Sequence, residues 1–301
     1  MKVFVTGATG WVGSATVKEL LAAGHQVLGL ARSEVGAEAL ARAGAEVQRG
    51  SLDDLDSLRS GAAWAEGVIH TAFIHDFSNF ARSVEVDQLA IRTLGEVLAG
   101  SNRPLIVTAG TGGLVSGRAV TEEDAKDPSA RVPRFSEEAG LAQVGSGIRA
   151  SVMRLPPSVH GEGDHGFVPG LIEIARAKGV SGYPGDGSNR WAAVHRLDAA
   201  RLYRLALENA PAGTILHAIG DEGVAIRDMA AIIGRHLNVP VVSVPLEQAA
   251  DHFGWLGHFI TMDSPASSAL TEQRFGWKPV EIGLLEDLDH DYYYKIGSGF
   301  H

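Results

Sequence analysis

The chain contains no cysteine among its 301 residues, which excludes disulfide bonds, thiol nucleophiles, zinc–thiolate sites and iron–sulfur clusters. It also contains no apolar run of the length that a membrane span requires. Basic residues are in the minority, with 26 Lys and Arg against 36 Asp and Glu and a net charge of −10. Because phosphate backbones and anionic lipids are bound through basic patches, we expect neither a nucleic-acid nor a membrane partner.

The composition is that of a globular protein, with 45% hydrophobic and 21% charged residues. A chain of this length can bury a large core without covalent cross-links. The amino terminus, MKVFVTGATG, enters a strand-like run at once and leaves no room for a signal peptide. We therefore expect a cytoplasmic monomer or homodimer whose partner is a small-molecule substrate.

Strand-like and helix-like segments alternate through the first half of the chain. Residues 2–6 form a short apolar run, residues 11–23 carry apolar side chains at helical spacing, and residues 26–31 form the next strand-like run. Further strands are predicted at 45–48, 67–71, 104–108 and 149–154, and further helices at 34–43, 54–60, 78–99 and within 135–145. Such βαβ units predict an α/β fold with a Rossmann-type, doubly wound parallel sheet.

A glycine-rich turn, TGATGWVG, joins the first strand to the first helix. Gly7 permits a tight turn, Gly10 lets a pyrophosphate approach the backbone, and Gly13 lets the helix pack closely on the strand. The helix amino terminus presents free N–H groups to the anion. The position of this motif within a βαβ unit predicts a dinucleotide site, although a plain tight turn is the alternative. The cofactor-binding residues predicted here are Gly7, Thr9, Gly10, Trp11, Val12 and Gly13.

The end of the second strand indicates which cofactor is preferred. An NAD site usually places a carboxylate there, whereas this chain has Arg32 and Ser33, which can bind a 2′-phosphate. We predict NADP(H), with NAD(H) as the alternative if Arg32 is only a solvated side chain. Asp53, after Leu52, is predicted to accept from the adenine amino group or to cap the following helix. Thr71, Ala72 and Phe73 follow the fourth strand and are predicted to lie against the cofactor ribose.

The regular alternation of strand-like and helix-like segments ends after Arg154. The Pro-, Gly- and His-rich residues 156–195 predict loops around one helix at 168–178. We predict an NADP-binding domain at 1–155 and a smaller carboxyl-terminal substrate lobe at 156–301. Residues of about 190–220 are predicted to return to the first domain.

Together these motifs resemble the extended short-chain dehydrogenase/reductases, which include nucleotide-sugar epimerases and dehydratases. TGATGWVG is similar to their glycine signature, and the segment from Arg154 to Gly161 is similar to their turn beside the nicotinamide. The resemblance implies that Thr108, Pro156 and His160 contact the cofactor. It also implies a Tyr-x-x-x-Lys pair, which this chain lacks: by spacing, Phe135 and Ala139 fall at those two positions.

Other groups must therefore supply any proton transfer. The catalytic residues predicted are Thr111, His165 and Tyr183, with His160, Arg134 and Glu138 as further candidates. For each histidine, hydrogen bonding within a loop is the alternative. Phe167, Tyr183 and Trp191 are predicted either to wall an apolar pocket or to pack in a core. We predict no metal site, because the loop carrying His160, Glu162, Asp164 and His165 has no fixed ligand spacing.

These observations predict an atypical NADP(H)-dependent reductase that acts on a small carbonyl or enone substrate by hydride transfer. A cofactor-binding sensor or scaffold without catalysis is the alternative, since the usual catalytic pair is missing. Nucleotide-sugar epimerisation or dehydration ranks last, because those reactions depend most on the missing base.

Overall fold

The computed structural model describes residues 1–76, 79–112, 114, 117–125 and 134–295. The strands are β1 (Lys2–Thr6), β2 (Gln26–Ala31), β3 (Glu46–Arg49), β4 (Gly67–His70), β5 (Pro104–Gly110), β6 (Arg149–Leu155), β7 (Ser158–His160), β8 (Ser181–Pro184), β9 (Arg190–His195), β10 (Ile215–His217), β11 (Asp221–Ala225) and β12 (Val241–Val244). The helices are α1 (Trp11–Ala22), α2 (Glu34–Ala43), α3 (Leu55–Trp64), α4 (Phe80–Leu98), α5 (Ser136–Leu141), α6 (Phe167–Lys178), α7 (Arg196–Asn209), α8 (Ile226–Leu237), α9 (Ala249–Phe253), α10 (Gly257–Ile260), α11 (Ala269–Phe275) and α12 (Leu284–Leu288). Within these ranges, no helix combines the length and apolar character needed to cross a lipid bilayer.

Seven parallel strands form the main sheet, in the order β10-β6-β5-β4-β1-β2-β3. The central strands are short apolar runs because helices cover both faces of the sheet, and β4 is buried along its whole length. The strand order reverses at β1, so a crevice opens where the carboxyl ends of β1 and β4 lie side by side. The predicted fold class, an α/β protein with a doubly wound parallel sheet, is confirmed.

A separate hydrophobic core lies on each face of the main sheet. On one face α1 packs against α7, with Leu20 and Leu202 fully buried between them and the strands. On the other face α3 packs against α4, where Leu58, Ile91 and Leu94 are fully buried. These two cores fix the carboxyl edge of the sheet, from which the loops of the site extend.

A smaller lobe with its own core is formed by β7, β8, β9, β11 and β12 together with α6, α8, α9, α10 and α12. This lobe contains a three-stranded sheet in the order β11-β9-β7 and a parallel pair of β12 and β8. Its core joins α6 and α8 to the carboxyl-terminal helices, with Trp191, Met229 and Phe253 almost completely buried. Of the segment predicted to return to the first domain, α7 and β10 join the main sheet and its core, whereas β9 belongs to the small lobe.

The structure departs from the sequence prediction in two places. Residues 156–195 contain three short strands, β7 to β9, in addition to α6, because Pro- and Gly-rich sequence still pairs where a neighbouring strand is available. The helix predicted within 135–145 is split into α5 and a 3-10 turn at Ala142–Ser146, which Gly147 ends in a left-handed conformation at φ 73°. This turn lies at the amino edge of the main sheet, where the Ser146 carbonyl oxygen accepts from the Gly100 N–H at 2.8 Å.

Candidate functional site

The glycine-rich turn after β1 has no space for side chains at Gly7 and Gly13, because a Cβ there would collide with neighbouring backbone atoms. A Cβ on Gly13 would lie 2.0 Å from the Gly7 carbonyl oxygen, and a Cβ on Gly7 would lie 2.7 Å from the Ala72 nitrogen. Gly7 also adopts φ +68°, a conformation that favours glycine. Gly10 precedes α1 without a side-chain cap, so the first N–H groups of the helix face the cleft.

This turn forms one wall of a cleft of about 1210 Å³ that follows the carboxyl edge of the sheet into the small lobe. Every predicted cofactor residue except His160 lines the cleft. These lining residues are Gly7, Thr9, Gly10, Trp11, Val12, Gly13, Arg32, Ser33, Leu52, Asp53, Thr71, Ala72, Phe73, Thr108 and Pro156. His160, the last residue of β7, is instead buried away from the cleft. Its Nδ1 lies 2.8 Å from the Asp287 carboxylate. It therefore supports the loop above the cleft without lining it.

Arg32 stands at the end of the cleft farthest from the small lobe. It is exposed, and among the described residues none pairs with its guanidinium. Glu34, the nearest carboxylate in sequence, is engaged by Arg49, which also donates to the Ser33 carbonyl oxygen at 2.6 Å. Ser33 uses its hydroxyl to cap α2, accepting from the Gly36 N–H at 3.1 Å. Among the described residues, the carboxylates nearest to Arg32 are engaged by other arginines, Glu34 by Arg49 and Asp53 by Arg82.

Asp53 lines the same end of the cleft. The helix cap that was its alternative role belongs to its neighbour, since the Asp54 carboxylate accepts from the Ser57 N–H at 3.2 Å. Asp53 is half-exposed and pairs with Arg82 at 3.1 Å. Its carboxylate is therefore available to the cleft.

The opposite end of the cleft lies between β5 and α5. The Thr108 hydroxyl contacts the Tyr203 hydroxyl at 2.7 Å and donates to the His70 carbonyl oxygen at 2.7 Å, and both contacts are buried. Arg134 precedes α5 and lines the cleft, and its guanidinium lies over the Phe73 ring, 4.1 Å from the centroid. Burial lowers the pKa of Arg134, while the nearby carboxylate of Asp87 acts in the opposite direction.

A buried ion pair fixes α5 against β6. Arg154 has no exposed surface and donates to both carboxylate oxygens of Glu137, at 2.7 and 2.6 Å. It also donates to the carbonyl oxygens of Thr121 and Asp124, at 3.4 and 2.7 Å. Arg154 therefore holds the start of α5 and residues 121–124 at the edge of the sheet.

The two positions that correspond by spacing to the family's Tyr and Lys do not line the cleft. Phe135 is 40% exposed, and Ala139 packs against the core beneath the helix. Arg134 and Glu138, the further candidates predicted from the sequence, line it instead, Arg134 from a position two residues before α5.

The three residues predicted to be catalytic are not brought together. His165 lies on the rim of the cleft, with its ring edge-to-face against Trp11 at 5.5 Å. Thr111 is buried, and its hydroxyl lies 3.5 Å from the Leu155 carbonyl oxygen. Tyr183 lies on β8 in the core of the small lobe. Of the three, His165 is the one placed among the described residues that line the cleft.

Asp164 is a lining residue that the sequence interpretation considered only as a metal ligand. It is 5% exposed, and its carboxylate accepts from the Gly166 N–H at 2.7 Å. Burial raises the pKa of Asp164 to about 7, and the Asp287 carboxylate adds to that increase. Such a carboxyl exchanges protons near neutral pH. The described residues contain no group of three His, Asp or Glu side chains that could hold a metal ion.

Apolar side chains form the part of the cleft that enters the small lobe. Phe167 packs against Trp191 and Phe259, with ring centroids 5.6 and 5.1 Å apart, and Met262 lies beside them. Of the predicted aromatic wall, Phe167 and Trp191 line the cleft and Tyr183 does not. This apolar compartment suits an uncharged group of a small molecule.

The parallel sheet, the glycine cradle and the cleft across the switch point define a dinucleotide-binding α/β protein. The chain belongs to the NAD dependent epimerase/dehydratase family, whose model matches residues 3–218.

Two relatives and one solved structure illustrate the range of similar proteins. An uncharacterised protein of Schizosaccharomyces pombe is 50% identical over 295 residues, which cover 98% of this chain and 100% of that protein. The 4-hydroxy-2-methyl-3-oxo-4-farnesyl-3,4-dihydroquinoline-1-oxide ketoreductase of Stigmatella aurantiaca is 26% identical over 272 residues, 84% of this chain and 80% of that protein. The crystal structure of the dTDP-glucose 4,6-dehydratase DesIV of Streptomyces venezuelae, with NAD and TYD bound, superposes with a TM-score of 0.78 at 20% identity. That superposition covers 98% of this chain and 97% of DesIV, and shows the shared fold.

Proposed function

We propose that the protein is an NADP(H)-dependent reductase that transfers a hydride to a small carbonyl or enone-type substrate. The observation that carries this proposal is the single cleft, which runs from the glycine cradle and Arg32 to the compartment of Phe167, Trp191 and Phe259. A cleft of this length accommodates a dinucleotide and leaves an apolar space beyond it. The distant likeness to a ketoreductase of Stigmatella aurantiaca supports the same class of reaction.

The residues at the cradle fit a dinucleotide with a 2′-phosphate. Side chains on Gly7 or Gly13 would collide with the backbone, so the turn keeps its N–H groups open to a bridging pyrophosphate. Arg32 supplies a guanidinium that no carboxylate of the described residues pairs with, which matches a phosphate better than a ribose hydroxyl. When bound, NADPH would supply the hydride.

The chain's own residues would then orient the substrate, exclude water and move a proton. Phe167, Trp191 and Phe259 surround the apolar part of the substrate. Asp164, whose pKa is raised to about 7 by burial, can release a proton at neutral pH, and His165 on the rim is the second candidate donor.

A non-catalytic sensor of the NADP(H) redox state is the second candidate. It is favoured by one observation, the presence of Phe135 and Ala139 where the family's Tyr and Lys are expected from spacing. Epimerisation and dehydration of nucleotide sugars are disfavoured by the same observation.

The deciding experiment is NADPH oxidation, followed by absorbance, with a panel of aldehydes, ketones and enones that carry apolar substituents. A reductase consumes NADPH with some members of the panel and forms the matching alcohol or saturated carbonyl product. Calorimetric binding of NADPH without turnover on any member would instead support the sensor. Binding of neither NADPH nor NADH would exclude both functions.

A further inference from the structure

Arg134 is held rigidly at the catalytic end of the cleft by three different contacts. Its Nη2 donates to the Thr108 carbonyl oxygen at 3.2 Å, and its Nε donates to the Ser136 hydroxyl at 2.9 Å. Its guanidinium plane lies over the ring of Phe73. These contacts join the ends of β4, β5 and α5, so the cation has a fixed position at the carboxyl edge of the sheet.

A buried network of hydrogen-bonded side chains extends from Ser136, on the side of Arg134 away from the cleft. Ser136 donates to one Asp87 carboxylate oxygen at 2.5 Å, and the other oxygen lies 3.1 Å from the His70 Nε2. His70 Nδ1 lies 2.8 Å from the Thr6 hydroxyl at the end of β1. Ser136, Asp87, His70 and Thr6 are all at most 1% exposed. The buried Asp87 carboxylate thus compensates the charge of Arg134 from the side away from the cleft.

The other ionisable groups near this end of the cleft do not supply a positive charge. Asp76, Glu137 and Glu138 are acidic. Burial lowers the pKa of His75, and the charge of Arg134 lowers it further, which favours the neutral imidazole. Among the described residues that line the cleft, the arginines are Arg32 and Arg134, there is no lysine, and Arg32 stands at the adenosine end.

We propose that Arg134 is the catalytic residue that binds and polarises the carbonyl oxygen of the substrate, in place of the tyrosine that the family uses. This inference rests on the proposed reductase function. The carbonyl carbon accepts a hydride from the reduced nicotinamide, and the electron pair of the C=O π bond moves to oxygen. Arg134 stabilises that oxyanion and keeps its own protons, since a guanidinium is not deprotonated in proteins. The oxyanion then takes a proton from Asp164 or His165, the candidate donors of the proposed function, and solvent returns a proton to that donor. The products are the alcohol and the oxidised cofactor.

The test compares Arg134→Lys and Arg134→Met with the wild type on a carbonyl substrate that the wild type reduces. Removing a donor to an oxyanion typically lowers kcat by about 100- to 1000-fold, and we expect a loss in this range for Arg134→Met. Arg134→Lys keeps the charge but loses the planar fork, so we expect an intermediate loss. The affinity for NADPH should change by less than about threefold, since the cofactor's phosphates lie at the other end of the cleft. Addition of guanidinium should partly restore turnover in an Arg134→Ala variant.

The matched control is Arg92→Met, which removes an exposed arginine of α4 outside the cleft and should leave turnover unchanged. Circular dichroism and the midpoint of thermal unfolding report whether each variant folds. Full activity in a folded Arg134→Met or Arg134→Lys variant would overturn the role of Arg134 and leave the reductase function intact. A wild type that binds NADPH and reduces no carbonyl would overturn the reductase function, and the role of Arg134 with it.

Discussion

The two ends of the cleft are built by different means. At the proposed adenosine end, beside Gly7 and Arg32, the backbone of one short segment makes the site, because a Cβ on Gly7 or Gly13 would collide with neighbouring atoms. At the proposed catalytic end, between β5 and α5, side chains from distant parts of the chain make the site. Ser136 meets Asp87 across 49 positions, and Thr108 meets Tyr203 across 95.

The two ends are therefore stabilised by different kinds of interaction. The glycine turn depends on close packing of the first helix on the first strand, which no change of protonation affects. The catalytic end depends on buried charges, such as Arg154 with Glu137, and on a buried carboxyl, Asp164. We therefore expect the catalytic end to be the more sensitive to pH and to loss of single charges.

The largest effect is expected for Arg154→Met, which breaks the charged support of α5. Glu137 and the carbonyl oxygens of Thr121 and Asp124 would lose their partner, so the free energy of unfolding should fall by about 3–5 kcal/mol. Denaturant unfolding measures this loss. The affinity for 2′,5′-ADP, which probes the adenosine end alone, should stay within about threefold of the wild type.

The matched control is Arg149→Met at the other end of β6. Arg149 donates only to the carbonyl oxygens of Leu207 and Ala210, so its loss should cost about 1 kcal/mol. Equal losses of unfolding free energy in the two variants would show that the pairing of Arg154 with Glu137 adds nothing to stability. A large loss of 2′,5′-ADP affinity in Arg154→Met would show that the two ends are not independent.

A smaller effect is expected for Asp164→Asn, and its size should depend on pH. The pKa of Asp164 is about 7 in the folded chain and 3.8 for the free side chain, so the folded state binds more protons between these values. This carboxyl therefore lowers stability as the pH rises from about 4 to above 7. Asn keeps an acceptor for the Gly166 N–H and removes the charge. Relative to the wild type, the variant should gain roughly 2–4 kcal/mol by pH 8 and nothing at pH 4.

Thermal and denaturant unfolding across this pH range measure the difference. The matched control is Asp251→Asn, which removes an exposed carboxylate of α9 and should give no pH-dependent difference. A constant difference between wild type and Asp164→Asn at all pH values would contradict the raised pKa of Asp164.

The contrast between the two ends also explains which parts of the molecule the sequence predicted. The fold and the cofactor turn follow from local patterns, since apolar periodicity and glycine spacing are readable within a few residues. Arg134 and Glu138 were named only as further candidates, because no local signal says which side chains of so short a helix, and of the residues just before it, meet the cleft. Tyr183 was misplaced because its aromatic character suits a pocket and a core equally well.

Asp164 illustrates a third reason why the sequence did not predict part of the site. Its sequence context, a glycine-rich loop, is typical of a solvated carboxylate. The carboxyl-terminal segment, more than a hundred positions away, lies beside this loop: the Tyr293 hydroxyl accepts from the Gly161 N–H at 3.2 Å, and the Asp287 carboxylate helps to raise the pKa of Asp164. The environment of Asp164 is therefore set by residues that no local sequence pattern connects to it.

The smallest effect is expected for Arg32→Ala, and it concerns binding alone. Arg32 is exposed, so the stability of the fold should hardly change. If its guanidinium binds the 2′-phosphate, the loss of a charged hydrogen bond should weaken NADPH binding by about 1.5–3 kcal/mol, while NADH binding stays nearly the same. Calorimetric titration with 2′,5′-ADP and with 5′-AMP isolates this contribution, because the two ligands differ only in the 2′-phosphate. Arg42→Ala, which removes an exposed arginine of α2 outside the cleft, is the matched control. Equal losses for the two nucleotides would mean that Arg32 recognises only the shared adenosine or 5′-phosphate, and the adenosine end would then owe its cofactor choice to the backbone as well.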